Sequence, residues 1–440
     1  MRQIMISLAA AFLGSGAWAQ PTVNPAMTAP LENGFVRVGE IVSTSRNNIG
    51  AAAFLFPRDG KLVTGLHPSI SDEVFLGGIN AVNSLYGQLD YNLVSYGWKN
   101  SRPGFHTVDV AVRGNYGLSV PREIFRILKT GTARSPYDLS SFRAFGNLYG
   151  EISYGYSRQI NDKLAAGGRV KLLAGLNSAE ISARKFELAT TDEEYRIDLD
   201  ADIDLTNRNR KVGEDGDGYL DYSSIMGKGK LGTPTGAGLA VDLGLVWKPI
   251  RNLSLSASLL DLGGILWYYG NGGKSSGSYS FQGLKDLATD EFEEEKMAAK
   301  LKETGEEFLK VIKPKTVKDC FKLKPVPLTA RLGADYGFPF CDRLSASCSF
   351  LYTGYRYCTP YWEARGGLAL DIPGIARISA SAGGSSYGFV YGAGGSVDFL
   401  QFRLYARYES GAGGTIPYES IPLKANSKSL VIGLVYMIRE

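Results

Sequence analysis

The stretch LSLSASLLDLGGILWYYG, from Leu253 to Gly270, decides the fold class. Leucine or alanine occupies every odd position from 253 to 259, and serine occupies the even positions between them. An alternation of period two is the pattern of a β-strand with one apolar and one polar face. From Leu260 onward the apolar residues move to even positions, so continued alternation would turn Asp261 to the apolar face.

This change of phase predicts a β-bulge, that is, one extra residue at Leu259–Leu260. Beyond such a bulge, Leu260, Leu262 and Leu266 would face lipid, and the residues Asp261, Ile265 and Trp267 would line an interior. The bulge could simply tighten a barrel. Alternatively, it marks a ligand pocket or a lateral opening lined by Asp261, Ile265 and Trp267, which are therefore candidate site residues.

Alternating segments of similar length recur along the whole chain. They cover 36–46 or 49–57, 85–97, 104–117, 148–158, 164–176, 178–188, 193–205, 235–248, 253–268, 326–338, 344–355, 361–371, 375–385, 388–398, 399–409 and 427–438. With this count the short turns at 159–163, 249–252, 339–343, 372–374 and near 398 fall on one end of the sheet. The long connections 118–147, 206–234, 269–325 and 410–426 fall on the other end, which is the topology of outer-membrane barrels.

The fold class predicted from this pattern is all-β: an antiparallel transmembrane β-barrel of about 14 strands (14–16). Apolar positions would face lipid, whereas serine and glycine would face the lumen. The chain has no run of eighteen apolar residues after its first twenty, so no membrane-spanning helix is expected. Short helices are expected in the external loops, at 121–129 and 283–313, where apolar residues recur at helical spacing.

The first twenty residues predict export from the cytoplasm. Arg2, a short apolar core and the Ala17-Trp18-Ala19 motif are typical of a secretory signal peptide over 1–19. We therefore expect an N-terminal plug and first-strand segment over 20–60, a barrel over 61–440, and localisation in a bacterial outer membrane.

Composition disfavours several classes of function. The chain has only two histidines and a net charge of +4, and it lacks the HExxH and Walker motifs, so neither an enzyme nor a nucleic-acid partner is expected. Its cysteines, Cys320, Cys341, Cys348 and Cys358, have no zinc-binding spacing. They could form disulfides with three alternative pairings, or Cys348 could remain a free thiol.

One external loop contains part of a calcium-binding motif. In EDGDGYLD, Asp215, Asp217 and Asp221 occupy ligand positions if Gly218 is the turn glycine. However, Gly213 and Ser224 stand where the first carboxylate and the bidentate glutamate belong. The segment is either a weak calcium site or an acidic, glycine-rich loop, and no other cofactor is predicted.

Three motifs resemble a known group of proteins. Asn24-Pro25-Ala26 resembles the NPA element near the mature N-terminus of FadL-type long-chain fatty-acid transporters. The hairpin GAGLAVDLGLVWKPIRNLSLSASLLDLGGILW, 236–267, and the re-entry segment PVPLTARLGA, 325–334, resemble an uncharacterised family of Bacteroidetes outer-membrane barrels with a FadL-like fold. The resemblance implies about fourteen barrel strands and a plug containing Asn24, Pro25 and Ala26. It also implies that 178–188 and 193–205 form an external hairpin.

Three functions follow as hypotheses. The first is a passive channel or carrier for small apolar molecules, with outer-membrane lipid and a hydrophobic small molecule as partners. The second is a barrel that transports nothing and serves as the partner of an envelope protein in a secretion or attachment complex. The third, an outer-membrane enzyme, has no catalytic motif to support it.

Overall fold

The computed structural model describes most of the chain. The described residues are 23–100, 103–132, 136–191, 194–206, 214–220, 233–281, 306–307, 310–355, 358–412 and 424–438, with the side chains of 269–271 and 319–320 excepted. The signal peptide and most of the predicted helical segment 283–313 lie outside these residues and stay predictions.

The described residues contain nineteen strands, two short α-helices and further helical residues at 306–307 and 310–312. The strands are β1 Phe35–Asn47, β2 Leu55–Arg58, β3 Lys61–Thr64, β4 Val82–Lys99, β5 Phe105–Pro121, β6 Tyr137–Asp138, β7 Arg143–Asn161, β8 Leu164–Thr190, β9 Tyr195–Thr206, β10 Gly236–Ile250, β11 Leu253–Phe281, β12 Lys315–Pro325, β13 Leu328–Gly337, β14 Leu344–Gly354, β15 Tyr361–Ile372, β16 Ala376–Ser385, β17 Gly388–Phe399, β18 Phe402–Gly411 and β19 Asn426–Met437. The helices are α1 Asp72–Gly77 and α2 Arg122–Thr130, and 3₁₀ turns span Pro25–Thr28 and Ala51–Ala53.

Fourteen of the strands close into an antiparallel barrel. Their order is β1, β4, β5, β7, β8, β10, β11, β13, β14, β15, β16, β17, β18 and β19. The ring closes because β1 pairs with β4 on one side and with β19 on the other. Closure gives every wall strand two neighbours, which is what a sheet needs where lipid offers its backbone no hydrogen-bond partner.

Sixteen strand segments were predicted, but the barrel has fourteen strands. The two surplus segments are 178–188 and 193–205, which the family resemblance assigned to an external hairpin. Segments 164–176 and 178–188 are one continuous strand, β8, whose upper part rises beyond the barrel wall. Segment 193–205 corresponds to β9, which pairs with the upper parts of β8 and β11 above the ring. The first barrel strand is the predicted 36–46, whereas 49–57 lies in the external segment between β1 and β4.

Side chains alternate between lipid and lumen as the sequence pattern predicts. On β10, Leu239, Leu243 and Leu245 are exposed on the outer surface, whereas Ala240 and Asp242 are buried inside. The outer surface is therefore apolar although the lumen carries many charges, a distribution that fits only a membrane-embedded barrel. No helix among the described residues is both long and apolar enough to cross a membrane.

The connections sort by length as predicted. All five predicted short turns lie at the end of the barrel where β1 begins and β19 ends. The opposite, external end carries most of the long segments, and one of them, 48–81, packs α1 and the β2–β3 hairpin against α2. The apolar contacts of this external cap involve Ile70, Phe75, Leu76 and Ile79, with Phe125 of α2 against them.

Candidate functional site

The phase change in β11 is a real irregularity of the barrel wall. Val241 of β10 pairs with Leu262, but Leu243 pairs with Leu259, so two residues of β11 oppose the single residue Asp242. One of the two, Asp261, has a positive φ of 63°, in the left-handed region that a bulge of this kind requires. The extra residue is therefore Asp261.

This position corrects one part of the sequence interpretation. Leu260 is buried with 5% exposure and continues the inward series of Ser254 and Ser258, so its predicted lipid-facing orientation is wrong. Leu262 and Leu266 do lie on the outer surface, at 51% and 47% exposure. The phase shifts one residue later than predicted because the aspartate, which tolerates a left-handed backbone better than leucine, takes the extra position.

Asp242 holds the bulge from the inside of the barrel. Its Oδ1 accepts a 2.8 Å hydrogen bond from the backbone N–H of Asp261, a donor that the bulge removes from the strand ladder. The ammonium of Lys171 on β8 lies 2.9 Å from Asp242 Oδ1 and 2.6 Å from Asp261 Oδ1. The two aspartates of the sequence motifs VDLG and LDLG thus share one lysine.

The same lysine belongs to a larger network of buried charges. Asp242 also pairs with Arg169 at 3.4 Å, and Asp109 pairs with Arg169 at 3.6 Å and with Arg37 at 3.4 Å. Charged groups buried away from water are stable only when they are paired, and here the pairs run through adjacent strands around one side of the lumen. In this part of the barrel the interior is filled by ion pairs.

A second group of buried ion pairs is centred on Arg113. Its guanidinium donates to Glu151 at 2.6 Å and to Asp90 at 3.0 Å. Sequence reasoning missed these charged residues as site residues. Their signal was present, because each occupies an inward position in an alternating strand, where a charge needs a partner across the barrel.

Ile265 and Trp267 point into the lumen just above the bulge. They are 2% and 1% exposed and form an apolar cluster with Tyr149, Leu173, Ala240 and Val326. Trp267 fits because Gly175 faces it: a Cβ at Gly175 would lie 2.6 Å from the indole ring. The structure brings these two predicted residues together, while Asp261 lies below them with the charged network.

The wall is weakened beside this cluster. β11 pairs with β13 up to Leu260 and with β12 from Gly264 onward. Residues 261–263 have no regular pairing on this side, although Leu262 and Gly263 remain paired with β10. On the facing strand, Pro325 and Pro327 flank Val326 and have no backbone N–H. Val326 N–H donates to Gly263 at 3.2 Å and bridges the interruption.

The Asn24-Pro25-Ala26 motif lies in the lumen at the end of the barrel where the short turns are. Asn24 Nδ2 donates to the carbonyls of Leu245 and Ala257, at 3.2 and 3.1 Å, and so bridges β10 and β11. Its Oδ1 accepts the N–H of Ala26 and begins the 3₁₀ turn. Gly244 makes this approach feasible, since a Cβ there would lie 2.0 Å from Asn24 Oδ1.

The calcium-like loop is described only in part. Asp215 Oδ1 accepts the backbone N–H groups of Tyr219 and Asp217, at 2.9 and 3.1 Å, and the Tyr219 bond is the main cause that holds the pKa of the Asp215 carboxyl below its usual value. Asp221 lies outside the described residues. Within the described part of the chain, no group of three or more His, Cys, Asp or Glu could hold a metal. The calcium site stays a prediction.

Three of the four cysteines can be assessed. Cys341, Cys348 and Cys358 are free thiols, and Cys348 is exposed on the outer, lipid-facing side of β14. The side chain of Cys320 lies outside the described residues. The free-thiol alternative therefore applies to Cys348.

One family profile matches most of the chain, and solved structures are similar to it over most of their length. The profile of a family of unknown function (DUF5723) matches residues 25–407. A FadL homologue of Pseudomonas aeruginosa has 12% identity and a TM-score of 0.47, over 94% of this chain and 92% of its own. The toluene transporter TodX of Pseudomonas putida has 10% identity and a TM-score of 0.44, over 96% and 94%. No curated protein matches the sequence.

Proposed function

The chain belongs to the family of unknown function DUF5723, and we propose that this outer-membrane β-barrel is a passive channel or carrier for small apolar molecules. The observation that carries the proposal is the apolar lumenal cluster around Trp267, which lies directly beside the interrupted pairing of β11. The inward-facing Trp267 and Ile265 thus present apolar surface next to the segment of β11 that has no regular pairing with β12 or β13.

The path follows from the distribution of charge. Below the cluster, the ion pairs of Lys171, Asp242 and Arg169 fill the lumen and oppose the passage of an apolar solute. The alternative exit is sideways, between Gly263 and Val326, where the strands are joined by the single N–H of Val326. An apolar solute would leave through the wall toward lipid rather than travel down the barrel axis.

A second apolar feature lies at the external end. A cavity of about 400 Å³ lies between the barrel rim and the external cap, lined by apolar side chains of both, among them Phe54, Leu85, Leu118 and Phe125. Concave apolar surfaces of this size are typical of small-molecule sites. It supports the proposal as a place where an apolar solute is collected.

The test is uptake of radiolabelled naphthalene across an asymmetric membrane with a lipopolysaccharide outer leaflet, which slows the direct passage of apolar solutes. Leu173→Asn places an amide inside the cluster and is expected to reduce uptake several-fold. Leu172→Asn, its lipid-facing neighbour at 59% exposure, is the matched control and should retain uptake. Equal uptake by both variants and by membranes without protein would contradict a transport function.

A non-transporting partner function is the second candidate, and one observation favours it. β12 pairs with the upper part of β11, where its outward-facing Phe321 and Leu323 are in register with Tyr268 and Leu266 and are exposed at 65% and 68%. An exposed apolar patch near the external end of the wall is typical of a surface that binds another protein. Co-purification of an envelope protein that is lost in the Phe321→Ser, Leu323→Ser double variant, with naphthalene uptake absent throughout, would support it.

A further inference from the structure

We propose that four arginines at the external mouth of the lumen, Arg46, Arg331, Arg365 and Arg407, form a binding site for a small oxyanion such as inorganic phosphate. These residues, here called the mouth arginines, lie on β1, β13, β15 and β18. Arg331 is in register with Ser258 of β11, just below the bulge, and none of the four belongs to the apolar cluster around Trp267. The proposal does not depend on transport of apolar molecules.

All four side chains point inward near the external ends of their strands. On β13, β15 and β18 they alternate with lipid-facing neighbours, Leu332, Trp362 and Tyr408, which are 58%, 44% and 47% exposed. The guanidinium of Arg46 lies 4.1 Å from the centre of the Tyr361 ring inside the barrel. The mouth arginines therefore face one another across the lumen.

Their positive charge is only half balanced. Glu363 pairs with Arg365, and Glu409 lies 3.7 Å from Arg365 Nη1 and 3.6 Å from Arg407 Nε. Arg331 is in register with Leu351 of β14, and Leu351 is in register with Glu363 of β15, so Arg331 lies two strands from Glu363 on the same inward face. Among the described residues, two carboxylates thus serve four guanidinium groups.

Unused hydrogen-bond donors accompany the surplus charge. Arg46 Nε, Arg331 Nε and Arg365 Nη1 are buried and have no hydrogen-bond partner within the described residues. A buried donor without an acceptor is unfavourable, and several such donors converging on one space are satisfied together by a multidentate acceptor. The planar guanidinium fork matches the oxygens of phosphate and carboxylate, so the geometry points to an oxyanion.

The adjoining wall presents small polar side chains to the lumen. The lumen-facing positions of β14 and β16 carry small side chains that remain partly or fully exposed: Ser345, Ser347, Ser349, Ser379 and Ser381. On β17, Gly392 stands beside the pair formed by Arg365 and Glu409, where a Cβ would lie 3.0 Å from Arg365 Nη1. An external anion can reach the site through this polar side of the lumen.

The experiment is calorimetric titration of the purified full-length protein in detergent micelles with inorganic phosphate, at constant ionic strength set with chloride. Wild type should bind phosphate saturably. Arg331→Gln should weaken binding roughly tenfold or more, because it removes a charged donor, and Arg331→Lys should recover it only in part. Arg184→Gln, which breaks an exposed ion pair on the part of β8 above the wall, should bind as wild type does.

The unfolding temperature of Arg331→Gln shows whether a loss of phosphate binding comes from a loss of folding. Because Arg331 has no ion pair among the described residues, Arg331→Gln without phosphate should unfold at a temperature no lower than wild type. A lowered unfolding temperature would assign Arg331 a structural role and overturn the proposal. So would the absence of saturable binding in wild type, or equal affinity in Arg331→Gln and wild type.

Discussion

The backbone N–H of Asp261 donates a 2.8 Å hydrogen bond to the Oδ1 of Asp242, across two adjacent strands of the barrel wall. This bond connects the sequence motifs VDLG and LDLG, and it stabilises the bulge between them. The bulge frees a backbone donor, and the neighbouring strand supplies a buried carboxylate that accepts it. Lys171 then forms an ion pair with each of the two aspartates, and Arg169 supplies a second positive charge beside Asp242.

Replacing Asp242 should therefore reveal how much the bulge depends on it. Asp242→Leu removes one of the two carboxylates paired with each of Lys171 and Arg169, together with the acceptor of the Asp261 N–H, and should lower the free energy of unfolding by about 3–5 kcal/mol. Asp242→Asn keeps an acceptor for the Asp261 N–H and should cost less, about 1–3 kcal/mol. Urea unfolding in micelles measures both changes. Asp198→Asn, which breaks an exposed ion pair on β9, is the control and should cost at most about 1 kcal/mol.

The positive φ of Asp261 predicts an unusual order of stabilities at that position. Glycine and alanine both remove the carboxylate that binds Lys171, but only glycine adopts a φ of 63° without strain. Asp261→Gly should therefore be more stable than Asp261→Ala by about 1 kcal/mol. The two unfolding curves decide the matter, and alanine equal to or better than glycine would show that the bulge relaxes when the aspartate is lost.

The N-terminal 3₁₀ turn should move away from the barrel wall when a side chain is added at Gly244, the residue against which Asn24 packs. A Cβ at Gly244 would lie 2.0 Å from Asn24 Oδ1, so Gly244→Ala should displace the turn while the barrel remains closed. Hydrogen exchange of the Ala26 and Met27 amides should then accelerate without a change in strand amides. Gly146→Ala, at a position with no atom within 4 Å of the added Cβ, is the control and should leave exchange unchanged.

The partial calcium motif has a direct test. If Asp215, Asp217 and Asp221 bind calcium, the unfolding temperature should rise when calcium replaces a chelator. Asp217→Ala should remove that rise, because it deletes one of the few carboxylate ligands. Wild type that unfolds at the same temperature with calcium and with chelator identifies the segment as an acidic external loop.

Sequence periodicity predicted the strand positions and the lipid-facing surface because both depend on local alternation. Each wall strand has only two faces, and lipid admits only one kind of residue, so Leu239 and Leu243 could be assigned to the exterior without knowing their neighbours. The bulge was predictable for the same reason, since an aspartate on the apolar face signals a change of phase. Its position was wrong by one residue, because alternation cannot tell which of two adjacent residues adopts a left-handed backbone.

The charged lumen could not be predicted at the same level of detail. The sequence places Arg37, Lys171 and Asp242 on inward faces, but their pairing depends on which strands become neighbours when the ring closes. Glu40, for example, receives a hydrogen bond from Tyr405, which is 365 residues away along the chain. The mouth arginines pose the same problem, because their four strands are separated in sequence and converge only across the lumen.

From local alternation and loop length alone, the sequence predicts a membrane barrel, long loops at one of its ends, and a change of phase in one wall strand. The sharing of Lys171 by Asp242 and Asp261, the packing of Trp267 against Gly175, and the position of four arginines beside two glutamates could not be predicted in this way. Those contacts depend on the closure and register of fourteen strands, which bring residues from distant parts of the chain into one enclosed space of low dielectric.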